Sequence, residues 1–179
     1  MAANPPMDSS AESTSGIVDY NTWQRDCRTV MGRAMSYLQD RLAHTGGKEK
    51  PAIVFDIDNT ALETGFNFHY PQPANQPVRK IAHYAQTHGS SLFFITARPN
   101  LLKEPTEFNL EHDGYHVDGF YSRGFMDLTD VARYKARRRA DIEASGYTII
   151  ANIGNSATDF YGGHAERNFK LPDYDGQLS

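Results

Sequence analysis

The sequence predicts an α/β domain of three layers, a mostly parallel sheet covered by helices on both faces. Three observations predict it. Runs of apolar, β-favouring residues recur at 52–55, 92–95 and 147–152, too continuous for strands with one wet face. Segments with apolar residues at helical spacing lie between them. Each run also ends in polar residues, at the strand ends where open α/β sheets carry their chemistry.

The elements follow in order. Residues 1–16, rich in Pro, Ser and small residues, read as a flexible tail without the basic and apolar regions of a signal peptide, and 17–179 as one domain. A helix is expected from Asn21 as N-cap, with Gln24 three residues on. Its stripe is Trp23, Cys27, Val30, Met31, Ala34, Met35, Leu38 and Leu42, and Gly46-Gly47 ends it. The single Cys27 lies on that stripe, a packed thiol with no partner for an internal disulfide. The strand at 52–55 runs into Asp56-Ile57-Asp58-Asn59-Thr60. Residues 64–77, full of Pro, Asn and aromatics, read as a structured loop. Pro77 suits the first turn of a helix carrying Val78, Ile81, Ala82 and Ala85, closed by Gly89.

The strand at 92–95 delivers Thr96-Ala97-Arg98-Pro99. A shorter helix over 101–112 follows, with Pro105 in its first turn or interrupting it. A third strand is expected at 119–122, then a helix over 130–144 capped by Thr129. The strand at 147–152 leads to Gly154-Asn155-Ser156 and Asp159, and a last short strand falls at 168–171.

Composition narrows the function classes. The chain is 39% hydrophobic and 22% charged with a net charge of −4, which gives no overall pull toward nucleic acid or an anionic membrane. No stretch approaches the roughly 20 apolar residues that span a bilayer. The seven histidines form no zinc pattern. Phosphate-cradling loops, Gly-x-Ser-x-Gly elbows and Asn-x-Ser/Thr sites are also missing from the sequence.

The polar residues after the strands form a coherent set: Asp56, Asp58 and Thr60, then Thr96 and Arg98, then Lys135 within a helix, then Asp159. Phosphoryl transfer needs a nucleophile, a proton donor, a divalent cation and donors for the phosphate oxygens. A carboxylate attacking a phosphate dianion is repelled unless cations screen both, and Asp56 with Mg²⁺ and Lys135 meets that need. Singly, each residue has a plainer role. Asp58 and Thr60 cap turns, Thr96 ends a strand, Arg98 pairs on the surface, and Asp159 sits at a helix N-terminus. Lys135 belongs to a basic helix face with Arg133, Arg137, Arg138 and Arg139.

VFDIDNTAL, FFITAR, Lys135 in ARYKARRRADIEASGY and IANIGNSATDF, in that order, resemble the haloacid dehalogenase (HAD) superfamily, in its acid phosphatase branch. That branch, subfamily IIIB, includes the bacterial class B enzymes and the plant vegetative storage proteins. The resemblance implies a Rossmann-like core with a minimal cap, an open site, and a phosphorylated small molecule as substrate. It makes Asp56 the nucleophile and Asp58 the general acid and base. It gives phosphate binding to Thr96 and Lys135, alongside Thr60 and Arg98, and Mg²⁺ binding to Asp56, the Asp58 carbonyl, Asn155 and Asp159. Relatives are often secreted or lie in the cell envelope; location and oligomeric state stay open.

One departure stands out. The family pattern Gly-Asp-x-x-x-Asp reads Gly154-Asn155-Ser156-Ala157-Thr158-Asp159, so a neutral amide replaces a carboxylate and weaker metal binding is expected. A storage or binding protein with weak catalysis, a phosphotransferase and a dehalogenase are the rival readings.

Overall fold

The structure, a computed structural model, describes residues 18–127 and 129–178; the expected tail over 1–16 lies outside them. The cap of helix α1 (Tyr20–Ala43) lies two residues before the expected Asn21, because Asp19 Oδ1 accepts the Thr22 N–H at 3.1 Å. Its stripe buries Trp23, Cys27, Val30, Met31, Ala34, Leu38 and Leu42. Each large side chain so buried contributes about 1.5–3 kcal/mol. Trp23 stacks on Phe66 at 4.6 Å between centroids, which pins the loop after the first strand to this helix.

Strand β1 (Pro51–Phe55) is followed by α2 (Gln76–Thr87), with Pro77 in its first turn and Gly89 at φ +86° just beyond it. Strand β2 (Ser91–Pro99) runs further than its apolar core. Its pairing with β3 (Gly119–Arg123) loses register after Ile95, so Thr96, Ala97 and Arg98 leave the regular ladder. Between these strands lie a single 3₁₀ turn and α3 (Lys103–His112), with Pro105 in the first turn and no kink to make. Helix α4 (Val131–Ala144) is capped by Asp130, which accepts the Arg133 N–H at 2.9 Å, rather than by Thr129. Both displaced caps have one cause, a carboxylate one or two residues from the expected capping residue. Strands β4 (Thr148–Gly154) and β5 (Asn168–Lys170) complete the sheet.

All pairings are parallel, in the order β3-β2-β1-β4-β5. Side chains alternate between the faces: Ile53, Phe55, Leu92 and Phe94 join α1 and α2 in the larger cluster, while Ala52, Val54, Phe93 and Ile95 meet Tyr134 and Ile142 of α4. Against β1, β4 carries one extra residue: Ala52 pairs with Ile149 but Ile53 with Ala151. The orphaned carbonyl of the bulged Ile150 accepts the Tyr37 hydroxyl at 2.9 Å. Near the amino ends of the strands, Arg41 bridges Glu49 at 2.5 Å and Glu166 at 2.8 Å. The contacts with Arg41 hold both carboxyls below their ordinary range.

Candidate active site

The β1–β4 ladder continues one step past the end of β1, where the Asp56 N–H donates to the Ile153 carbonyl at 2.9 Å. The chain then turns tightly: Thr60 N–H bonds Ile57 O at 3.1 Å and Leu62 N–H bonds the same carbonyl at 3.0 Å. Asn59, inside the turn, takes φ +53°, a conformation Asn tolerates better than most residues. Asp56 is only 7% exposed.

Lys135 reaches the carboxylate from α4. Its Nζ donates to Asp56 Oδ1 at 2.6 Å and to Asp159 Oδ1 at 2.5 Å, and all three side chains are buried. Asp159 ends a 3₁₀ turn after β4, and its second oxygen accepts the Ser156 N–H at 2.9 Å. One turn along α4, Arg139 donates to the Asp159 carbonyl at 2.7 Å and the Gly163 carbonyl at 2.8 Å, and also to that of Tyr161. The sequence treats the Arg run around Lys135 as a wet face; Arg139 is instead 1% exposed and builds the loop that presents Asp159. Its four-residue spacing from Lys135 was the available signal. Gly154 is required by space: a Cβ there would lie 2.3 Å from Asp159 Oδ2.

Two carboxylates share one ammonium, so the cluster keeps one unbalanced negative charge. Burial first, and then the Asp159 charge, push the Asp56 carboxyl up to about 7 against the pull of Lys135. Burial alone would lower the Lys135 pKa, but the Asp56 and Asp159 carboxylates outweigh it and hold it above the ordinary value. The ammonium therefore stays charged, and the deficit is one that a proton or a cation relieves.

Asp58 lies outside this cluster. It is half-exposed and bound by Arg98, whose Nε and Nη2 meet its oxygens at 2.8–3.2 Å. Arg98 also donates to Thr106 Oγ1 at 3.0 Å and Gln72 Oε1 at 2.9 Å, tying the loop after β1 to α3. Thr96 is fully buried and its hydroxyl accepts the Arg98 N–H at 3.1 Å. Thr60 is equally buried, and its hydroxyl has no hydrogen-bond partner among the described residues. Asn155 is buried, with its Nδ2 donating to the Leu178 carbonyl at 2.6 Å; Asn59 Nδ2 donates to the same oxygen at 2.8 Å. The reading from sequence missed Gln72, Asn59 and Leu178, which lie in irregular segments where no periodicity marks them, and Thr106, a buried polar position of α3.

The model of the HAD superfamily, subfamily IIIB (acid phosphatase), matches residues 5–76 and 70–177. The chain belongs to that family. Two curated relatives from Glycine max, the stem 28 kDa and stem 31 kDa glycoproteins, are each 26% identical over 187 residues. The match covers 90% of this chain and 72% and 63% of theirs. The class C acid phosphatase from Bacillus anthracis, solved with tungstate bound, superposes with a TM-score of 0.65 at 19% identity, covering 80% of this chain and 67% of that one. A chain of the Pnkp1/Rnl/Hen1 complex gives 0.61 at 18% identity, covering 72% and 47%. These structural matches show a shared α/β fold.

HAD phosphatases generally use a divalent metal. Among the described residues no group of three or more His, Cys, Asp or Glu side chains is gathered for an ion. The oxygens that the sequence assigns to the ion are of mixed kind: carboxylates from Asp56 and Asp159, the backbone carbonyl of Asp58, and the amide oxygen of Asn155. That is a hard, all-oxygen set suited to Mg²⁺, and the charge deficit at Asp56 is in its favour. In donor chemistry these residues suit the ion. No helix among the described residues is long and apolar enough to cross a membrane.

Proposed function

We propose that this chain is a Mg²⁺-dependent phosphomonoesterase acting through an aspartyl-phosphate at Asp56, with residues 17–179 working as one domain. One observation carries the reading. Lys135 is buried between Asp56 and Asp159 at 2.6 and 2.5 Å, a costly arrangement unless the charges serve a reaction.

In this mechanism an Asp56 oxygen attacks phosphorus, and the bond from phosphorus to the leaving oxygen breaks. Asp58, oriented by Arg98, gives its proton to that leaving oxygen. Water then attacks phosphorus while Asp58 takes its proton, the bond from phosphorus to Asp56 breaks, and inorganic phosphate departs. Lys135 screens the nucleophile and, with Thr96, donates to the phosphoryl oxygens. Thr60 closes the turn behind them through its backbone N–H, and its hydroxyl has no hydrogen-bond partner among the described residues. Arg98 is assigned to Asp58 rather than to phosphate, since its guanidinium is taken by Asp58, Gln72 and Thr106. Mg²⁺, held by Asp56, Asp159, the Asp58 carbonyl and Asn155, would offset the repulsion between carboxylate and phosphate. A phosphorylated small molecule is the substrate class this reading favours.

The test is hydrolysis of an aryl phosphate with Mg²⁺ varied, beside Asp56→Asn. Turnover that needs Mg²⁺ and vanishes in the variant supports the reading; equal turnover in both proteins defeats it. A second reading, a storage or binding protein with weak catalysis, is favoured by the neutral Asn155 and by the stem glycoproteins among the relatives. It expects phosphate-analogue binding without turnover.

A further inference from the structure

Two buried neutral amides converge on one backbone oxygen. The Leu178 carbonyl accepts from Asn155 at 2.6 Å and from Asn59 at 2.8 Å, which occupies both of its lone pairs. Asn59 is fixed at its other end as well, because its Oδ1 accepts the Gly65 N–H at 2.6 Å. For Asn155, commitment of the nitrogen to Leu178 leaves the oxygen as the side-chain atom able to serve a cation. The residue that departs from the family motif is thus oriented by a residue far along the chain.

The segment carrying that carbonyl is itself anchored. Leu178 is 4% exposed and its N–H donates to the Asp173 carbonyl at 3.1 Å. Tyr174 donates its hydroxyl to Asp26 on α1 at 2.8 Å. Gly65 leaves the room: a Cβ there would lie 2.8 Å from Asn59 Oδ1 and 3.0 Å from a methyl of Leu178.

We infer that the Asp173–Leu178 segment is a working part of the cation site, its Leu178 carbonyl holding the Asn155 amide with the oxygen available to Mg²⁺. This rests on the Mg²⁺-dependent reading above. It also explains the departure in the motif. A carboxylate at 155 would set an oxygen against the Leu178 carbonyl and release the segment, so Asn is the residue the clamp requires. Orientation in advance offsets part of what the lost charge would contribute to binding. Because the same contact serves both, cation binding and segment closure are reciprocally linked.

The experiment measures Mg²⁺ affinity by calorimetry, and hydrogen exchange of amides 174–178, in the full chain and in Gly65→Ala, Leu178→Ala and Asn155→Asp. Mg²⁺ is expected to slow exchange of those amides in the wild type by about fivefold or more. Leu178→Ala, which leaves the sheet untouched, and Gly65→Ala should speed metal-free exchange and weaken Mg²⁺ binding by a similar factor. Asn155→Asp should speed metal-free exchange, a readout that needs no metal. Exchange indifferent to Mg²⁺, or unchanged affinity in Leu178→Ala, overturns the inference while leaving Mg²⁺-dependent hydrolysis standing. A wild type that binds no Mg²⁺ overturns both.

Discussion

Two clusters in this molecule each set one basic side chain between two carboxylates. Arg41 with Glu49 and Glu166 is partly wet, and its contacts hold both carboxyls below their ordinary range. Lys135 with Asp56 and Asp159 is buried, and there the Asp56 carboxyl rises to about 7. Counted as charges the two are the same; solvent separates them. Water and a forked guanidinium satisfy the first as it stands, whereas the second keeps a deficit that favours a further positive charge. One cluster fastens the fold, and the other is shaped for a partner.

The largest test of that contrast is catalytic. Asp56→Asn should cut aryl phosphate hydrolysis by about 10³-fold or more, while Glu166→Gln leaves turnover near wild type. Next is stability at neutral pH in urea. Lys135→Met strands two buried carboxylates and should cost about 3–5 kcal/mol, against about 1 kcal/mol or less for Arg41→Met.

The third test is pH. A raised folded-state pKa means that, between the ordinary carboxylate value and about 7, the folded metal-free protein binds more protons than the unfolded chain, so stability falls as pH rises through that window. Melting of the metal-free protein should therefore be higher near pH 5.5 than near pH 7.5, by about 2–4 °C for each kcal/mol involved. Mg²⁺ should shrink the difference, and Asp56→Asn should remove it. Glu49 and Glu166 act with the opposite sign. Their depressed values give stability that is present above the ordinary carboxylate range and lost as pH falls below it, so the melting curve should turn over in acid. A metal-free protein that only gains stability up to pH 7.5 would dissolve the contrast.

The smallest effect concerns Arg98→Lys. Loss of the two-pronged grip on Asp58 should lower kcat by about tenfold with little change in KM, and shift the pH profile.

Much of the fold was legible because its signals are local and redundant. The residues of β1 and β2 are apolar without alternation, and both faces are indeed covered. The caps of α1 and α4 were misplaced by one or two residues because neighbouring Asp, Asn and Thr compete for the same role, and Asp19 and Asp130 prevail. At the site, the order of the motifs placed Asp56, Lys135 and Asp159 in one family pattern, and the structure brings their side chains together. The partners of Arg98 and Asn155 were not legible. Gln72, Thr106 and Leu178 meet them across 26, 8 and 23 residues of sequence, and no period connects such pairs.

The bulge at Ile150 has a consequence for how this chain tolerates change. With the extra residue, Ile150 and Ala151 both join the α1 side, and Asn152 turns toward α4, where its amide holds the Asp159 carbonyl at 2.8 Å. Delete one residue there and strand length, apolar content and every motif survive on paper. The pairing with β1 and the facing of Ala151, Asn152 and Ile153 would survive as well, because removal of Ile150 restores regular alternation; what is lost is the buried Ile150 side chain and the carbonyl that accepts the Tyr37 hydroxyl. A one-residue deletion at the bulge is therefore a change this strand can absorb in geometry, at the cost of one buried apolar side chain and one hydrogen bond to α1.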